Sequence, residues 1–133
     1  MASHERKCQM STRKVTRRQT AREINMMRNF RTATNSHRGE NIRHGVTPYL
    51  PEHTQLPAEW QDCYLHSGAQ YVVWSYDTPI AWWTPVSEGG DPDNHGWTIP
   101  DVSYSVTTSR YQGMCNLAAH LSTDDPYWNS YND

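Results

Sequence analysis

The chain has 133 residues, 35% of them hydrophobic, a mean hydropathy of −0.92 and a formal net charge of −2. That length accommodates one domain with a small core, and no run of about 18 apolar residues is present to cross a bilayer as a helix. The low net charge conceals a split: residues 1–43 hold eleven basic side chains against three acids, a net of +8, whereas residues 44–133 hold Arg110 against eleven acids, a net of −10. Such an asymmetry marks a basic arm beside an acidic globular part, and it points to a binding protein rather than an enzyme. The N-terminus is basic without the apolar stretch of a signal peptide, and three cysteines (Cys8, Cys63, Cys115) make no disulfide framework. Both features predict reduced thiols and a cytoplasmic location, with no membrane association.

In chain order, residues 1–15 read as a basic tail. Thr16 and Gln19 have capping-box spacing, which predicts a helix over about 17–30, marginal in isolation because Arg17, Arg28 and Arg31 intrude on its apolar side. Residues 31–55 lack periodicity and read as a linker or irregular wrapping segment. Pro57 opens and Gly68 closes a predicted short helix, 57–67, whose buried stripe is Trp60, Cys63 and Tyr64. Gln70–Tyr76 is the clearest strand, β-branched and aromatic throughout; Asp77–Pro79 make a turn, and Ile80–Thr84 return. Residues 85–96 form an acidic turn-rich loop, and Trp97–Ile99 and Val102–Val106 supply one bent or two short strands around Pro100. Ser109 and Gln112 form a second capping pair, opening a helix over 110–121 with Tyr111, Met114, Cys115, Ala118 and Leu121 as its stripe. Gly113 inside it is expected to let the helix approach the sheet closely.

The expectation is therefore an α+β fold: a small three- to four-stranded antiparallel sheet with two helices on one face, plus a basic N-terminal arm or marginal helix. The predicted divisions are an arm and linker (1–55), a small α+β domain (56–121) and an acidic aromatic tail (122–133).

Ser-Tyr-x-Thr-Pro-Ile-Ala at Ser75–Ala81 and Thr-Thr-Ser-Arg-x-Gln at Thr107–Gln112, with an upstream stretch at Asn29–Glu40, resemble a domain of uncharacterised small accessory proteins of actinobacterial tailed phages. The resemblance implies a phage or prophage accessory protein working in the host cytoplasm, and it brings no catalytic residue with it.

Arg13, Lys14, Arg17, Arg18, Arg22 and Arg28 are candidates to bind phosphates of DNA or RNA or an acidic partner. The acidic half is a competing partner in cis, and the same opposite charges permit self-association. Thr107, Thr108, Ser109 and Arg110, at a predicted helix start, form a candidate anion site weighed against ordinary capping. Trp82, Trp83, Trp97 and Trp128 are candidate protein-binding aromatics. Cys63/His66 and Cys115/His120 are too loosely spaced for a structural zinc site, so neither metal nor cofactor is expected. Glu88, Asp91, Asp93 and Asp101 are the acids a metal-dependent hydrolase would use, without an EF-hand spacing. The leading expectation is non-enzymatic binding of a host or phage protein, one that can inhibit a defence or replication enzyme; nucleic-acid binding through the arm is the alternative and hydrolysis the third.

Overall fold

The computed structural model describes residues 13–15 and 17–120, with backbone alone at residues 13–15, 17, 18, 117, 119 and 120. The fold is α+β. Among the described residues six strands line up in chain order: β1 (Arg13–Val15), β2 (Phe30–Thr32), β3 (His37–Asn41), β4 (Tyr71–Ser75), β5 (Thr78–Trp83) and β6 (Trp97–Thr98). β2 to β6 are antiparallel, and β1 joins the edge parallel to β2. A parallel neighbour requires a crossover, which α1 (Arg17–Asn25) provides. The other helices are α2 (Ala58–Leu65) and α3 (Val106–His120).

β4 shows how the sheet is covered. Its residues are all buried, and they alternate between two cores. Tyr71 and Val73 pack with Ile24 of α1, Phe30, Trp97, and Tyr111, Met114, Cys115 and Ala118 of α3. Val72 and Trp74 pack with Trp82, Leu56 and Tyr64 of α2. The two helices expected on one face thus lie on opposite faces, because α2 and α3 each own a separate apolar set. α1 shares the α3 face, where Asn25 Nδ2 donates to the Ala118 carbonyl at 2.8 Å. The register jumps at Val73–Trp74, leaving Ile80 as an extra residue on β5. That bulge turns both Ile80 and Ala81 toward the α3 core, and it adjoins Pro79, which has no N–H for the ladder.

The segment read as a linker contributes β2 and β3, so the sheet crosses the boundary expected at residue 55. Gly39 allows this: a Cβ there would run into the Phe30 ring and the Tyr71 hydroxyl. Tyr71 Oη instead donates to the Arg28 carbonyl at 2.7 Å, fixing the chain between α1 and β2 to the central strand. The acidic loop is built the same way. Gly90 sits where a Cβ would meet the Thr84 carbonyl, and Trp83 Nε1 donates to His95 O at 2.9 Å.

Several local expectations shift. α1 ends at Asn25, five residues short of Phe30, which belongs to β2. On α2 only Tyr64 is buried; Trp60 is half-buried and Cys63 exposed, because a helix of 8 residues touches the sheet over a single turn. Val102–Ser105 is irregular, and Val106 starts α3. Its N-terminal cap is Ser105, whose Oγ accepts from Thr108 N at 3.2 Å, so Ser109 and Gln112 lie inside the helix. Gly113 faces open space, away from the sheet. Thr16, Leu121 and the acidic tail lie outside the described residues.

Candidate functional site

The predicted sites disperse. Trp82 and Trp97, 1% and 3% exposed, are core residues and not surface anchors, since each lies on a sheet face that a helix or loop covers. Trp83 is half-buried, held by His95, and Trp128 lies outside the described residues. Moving the start of α3 forward to Val106 separates the four residues of the anion site: Thr107, Ser109 and Arg110 are exposed, whereas Thr108 turns inward and is buried. Of the basic set, Arg13 and Lys14 are in β1, and Arg17, Arg18 and Arg22 are in α1, with Arg22 exposed. Arg28 pairs with Glu23 at 3.7 Å. The basic segment is therefore part of the fold from residue 13, anchored by Ala21, Ile24 and Phe30, all fully buried.

Among the acids, Asp91 accepts from Asp93 N at 2.9 Å, closing a turn. Glu88 accepts from Gln70 Nε2 at 3.2 Å and meets His44 Nε2 at 2.8 Å. Among the described residues no group of three or more His, Cys, Asp or Glu is placed to hold a metal ion. Cys115 is sealed in the α3 core, where burial pushes its thiol up, while Cys63 is on the surface.

What the fold does bring together is a polar cluster under a cavity. His37, at the start of β3, is 2% exposed and stacks on Tyr111 of α3, with ring centroids 3.9 Å apart. Its Nδ1 is 2.9 Å from Ser36 Oγ, and its Nε2 is 3.4 Å from Thr108 Oγ1. Thr108 Oγ1 is also 2.9 Å from Ser75 Oγ, at the end of β4, and accepts from Ser105 Oγ at 3.1 Å. One buried hydroxyl thus joins the sheet, the helix start and the imidazole. Burial lowers the pKa of His37 to about 4, so the ring is neutral at pH 7.

Above this cluster lies a cavity of about 370 Å³, lined by Ser75, Thr108 and Ser105 on its floor, with Tyr104, Gln55 and His53 around it and Tyr76 and Asp77 at the β4–β5 turn. Gln55 N donates to Thr78 Oγ1 at 2.9 Å, which ties the loop before α2 to this turn. Tyr76 occupies the first position of a two-residue hairpin turn at φ 51, a left-handed conformation that glycine or asparagine ordinarily supplies. The backbone is over-determined there: Tyr76 N donates to Ser36 O at 2.8 Å, and Arg38 Nη1 donates to Tyr76 O at 2.9 Å. Tyr76 is nonetheless 66% exposed.

In the sequence Thr108 falls in the candidate anion site, Tyr111 in the stripe of the last helix, and Ser75 and Tyr76 at the end of the aromatic strand; His37, Gln55 and Tyr104 carry no such mark. A buried His in a polar stretch has no periodic signal, and a turn read at Asp77–Pro79 leaves Tyr76 in the strand, one residue short of its place in the turn. The available signal is the hairpin itself: once Ser75 and Thr78 are paired, Tyr76 and Asp77 fill a two-residue turn that suits Asp and does not suit Tyr.

No curated protein and no solved structure matches the chain. A family model does, over residues 10–119, from β1 through nearly all of α3, and it carries only the description of a family of unknown function. With most of its length matched, the chain belongs to that family, DUF8033.

Proposed function

We infer that the protein works without catalysis, as a binding module whose recognition surface is the cavity mouth at the β4–β5 turn. The observation that carries this reading is Tyr76: a bulky aromatic held in a strained conformation by two hydrogen bonds to its backbone, one with the Ser36 carbonyl and one from the Arg38 guanidinium, yet exposed. Strain in an exposed residue confers nothing on folding, and aromatic side chains beside a cavity are the usual anchors of protein interfaces. The partner is a protein of a phage or of its bacterial host, in keeping with the sequence resemblance; inhibition of a defence or replication enzyme is the role such an accessory protein would serve.

The test is a nuclease-treated pull-down from host lysate with wild type and Tyr76→Asn. A stoichiometric partner retained by the first and lost with the second supports the reading. Equal retention by both removes the cavity mouth as the contact.

Nucleic-acid binding remains the second reading, favoured by one observation: Arg13, Lys14, Arg17, Arg18 and Arg22 sit on adjoining ordered elements, β1 and α1. Cations carried on a regular backbone neutralise phosphates with less backbone ordering cost than a free tail. A mobility shift reversed by 0.5 M salt, and abolished when Arg17, Arg18 and Arg22 are changed to Gln, would support it.

A further inference from the structure

We propose that the cavity beside Tyr76 receives an arginine side chain from a basic segment of the partner. The proposal rests on the binding reading above and names the chemistry of the group bound.

The mouth supplies what a guanidinium requires. Asp77 is exposed on the rim and makes no ion pair among the described residues. The adjacent cation, Arg38, is already engaged: it is 3.3 Å from Glu40, donates to Tyr76 O, and lies 4.8 Å over the Trp74 ring. The carboxylate is thus left for an incoming charge. Tyr76 offers an exposed ring, and cations are held over aromatic faces within about 6 Å. The Gln55 amide oxygen is an acceptor, and Ser105 Oγ, which donates to Thr108 Oγ1 and accepts from Thr108 N, keeps one lone pair; both suit a planar group with five donors, whereas the Ser75 and Thr108 hydroxyls are taken up in the buried cluster beneath.

The positive end of α3 argues for an anion, but its cap weakens the argument. Ser105 Oγ already accepts from Thr108 N, so that N–H is not available to a ligand. An anion would also face the Asp77 carboxylate. The lining itself points the same way, since it includes one carboxylate, Asp77, and no Lys or Arg. A volume of about 370 Å³ admits an arginine side chain with solvent to spare.

The probe is N-acetylarginine amide, titrated into the full chain and followed by NMR chemical shifts, with N-acetylglutamine amide and N-acetylglutamate amide as controls. A ligand of this size in a partly open site binds with Kd of about 1 mM. The expected result is saturable shifts at Ser75, Tyr76, Asp77 and Thr108 with arginine alone, at least about 10-fold weaker binding to Asp77→Asn, and recovery in Asp77→Glu. Equal binding of glutamine amide, preference for glutamate amide, or an unaltered Asp77→Asn titration overturns the arginine assignment. A partner whose capture depends on Tyr76 but not on Asp77 leaves the binding reading standing and sinks this one. Capture that is independent of Tyr76 ends both.

Discussion

Burial holds the His37 imidazole neutral down to about pH 4, whereas in the unfolded chain it titrates at its ordinary value near 6.5. Between those values the unfolded chain takes up a proton that the folded one refuses. Stability therefore falls as pH drops from about 6.5 to about 4 and levels off below, with a maximal loss of about 3 kcal/mol. Denaturant melts at pH 7.5 and 4.5 measure it, and His37→Gln should make the difference smaller. Thr108 bears a different load. Thr108→Val removes the hydroxyl that Ser75, Ser105 and His37 share, leaving buried polar atoms unpaired at a cost of about 1–3 kcal/mol. Tyr76 contrasts with both: asparagine tolerates its φ of 51, so Tyr76→Asn should match wild type in stability or exceed it by up to about 1 kcal/mol while losing partner binding. A variant that lost stability as well would assign Tyr76 to the fold instead of the interface.

At the scale of elements, what can be read in the sequence follows from how each one is buried. β4 and β5 are covered on both faces, so their aromatic and β-branched runs announce themselves. α3 has a buried stripe at 3- and 4-residue spacing, visible even though the helix starts at Val106 and not at Arg110. β3 buries His37 and Gly39, neither of which carries apolar information, and its remaining residues are Arg, Glu and Asn. No period-2 pattern exists there, because the strand is held by Tyr71, Phe30 and the ladder and not by its own side chains. The polar cluster under the cavity is hidden for the same reason. Gly113 is the converse case, a glycine that reads as a point of close packing and is not one. It is exposed, and a methyl group added there would meet nothing within 4 Å. Gly113→Ala should stabilise α3 by about 0.5–1 kcal/mol, seen as a raised denaturation midpoint with unchanged m-value.

Across the whole molecule, the charge split has a structural answer that matters for how the basic segment is tested. From residue 13 onward it is built in: β1 pairs with β2, and α1 buries Ala21 and sets Ile24 in the core that contains Cys115. What holds it is apolar packing and ladder hydrogen bonds, and the ion pairs of Arg28 and Arg38 are to Glu23 and Glu40 inside the same segment. Removing residues 1–28 would strip β1 from the sheet edge and α1 from the α3 face, and loss of nucleic-acid binding in that truncation would report unfolding as readily as loss of cations. The buried Cys115 thiol separates the two cases. In the intact chain it should resist a maleimide that modifies exposed Cys63 within minutes. In the 1–28 deletion Cys115 should react at a rate close to that of Cys63. Replacing Arg17, Arg18 and Arg22 with Gln removes three charges with the packing residues intact, and it should leave Cys115 protected. Protection of Cys115 in the deletion would mean that the sheet and α3 fold without β1 and α1, and that the basic segment is an appendage after all.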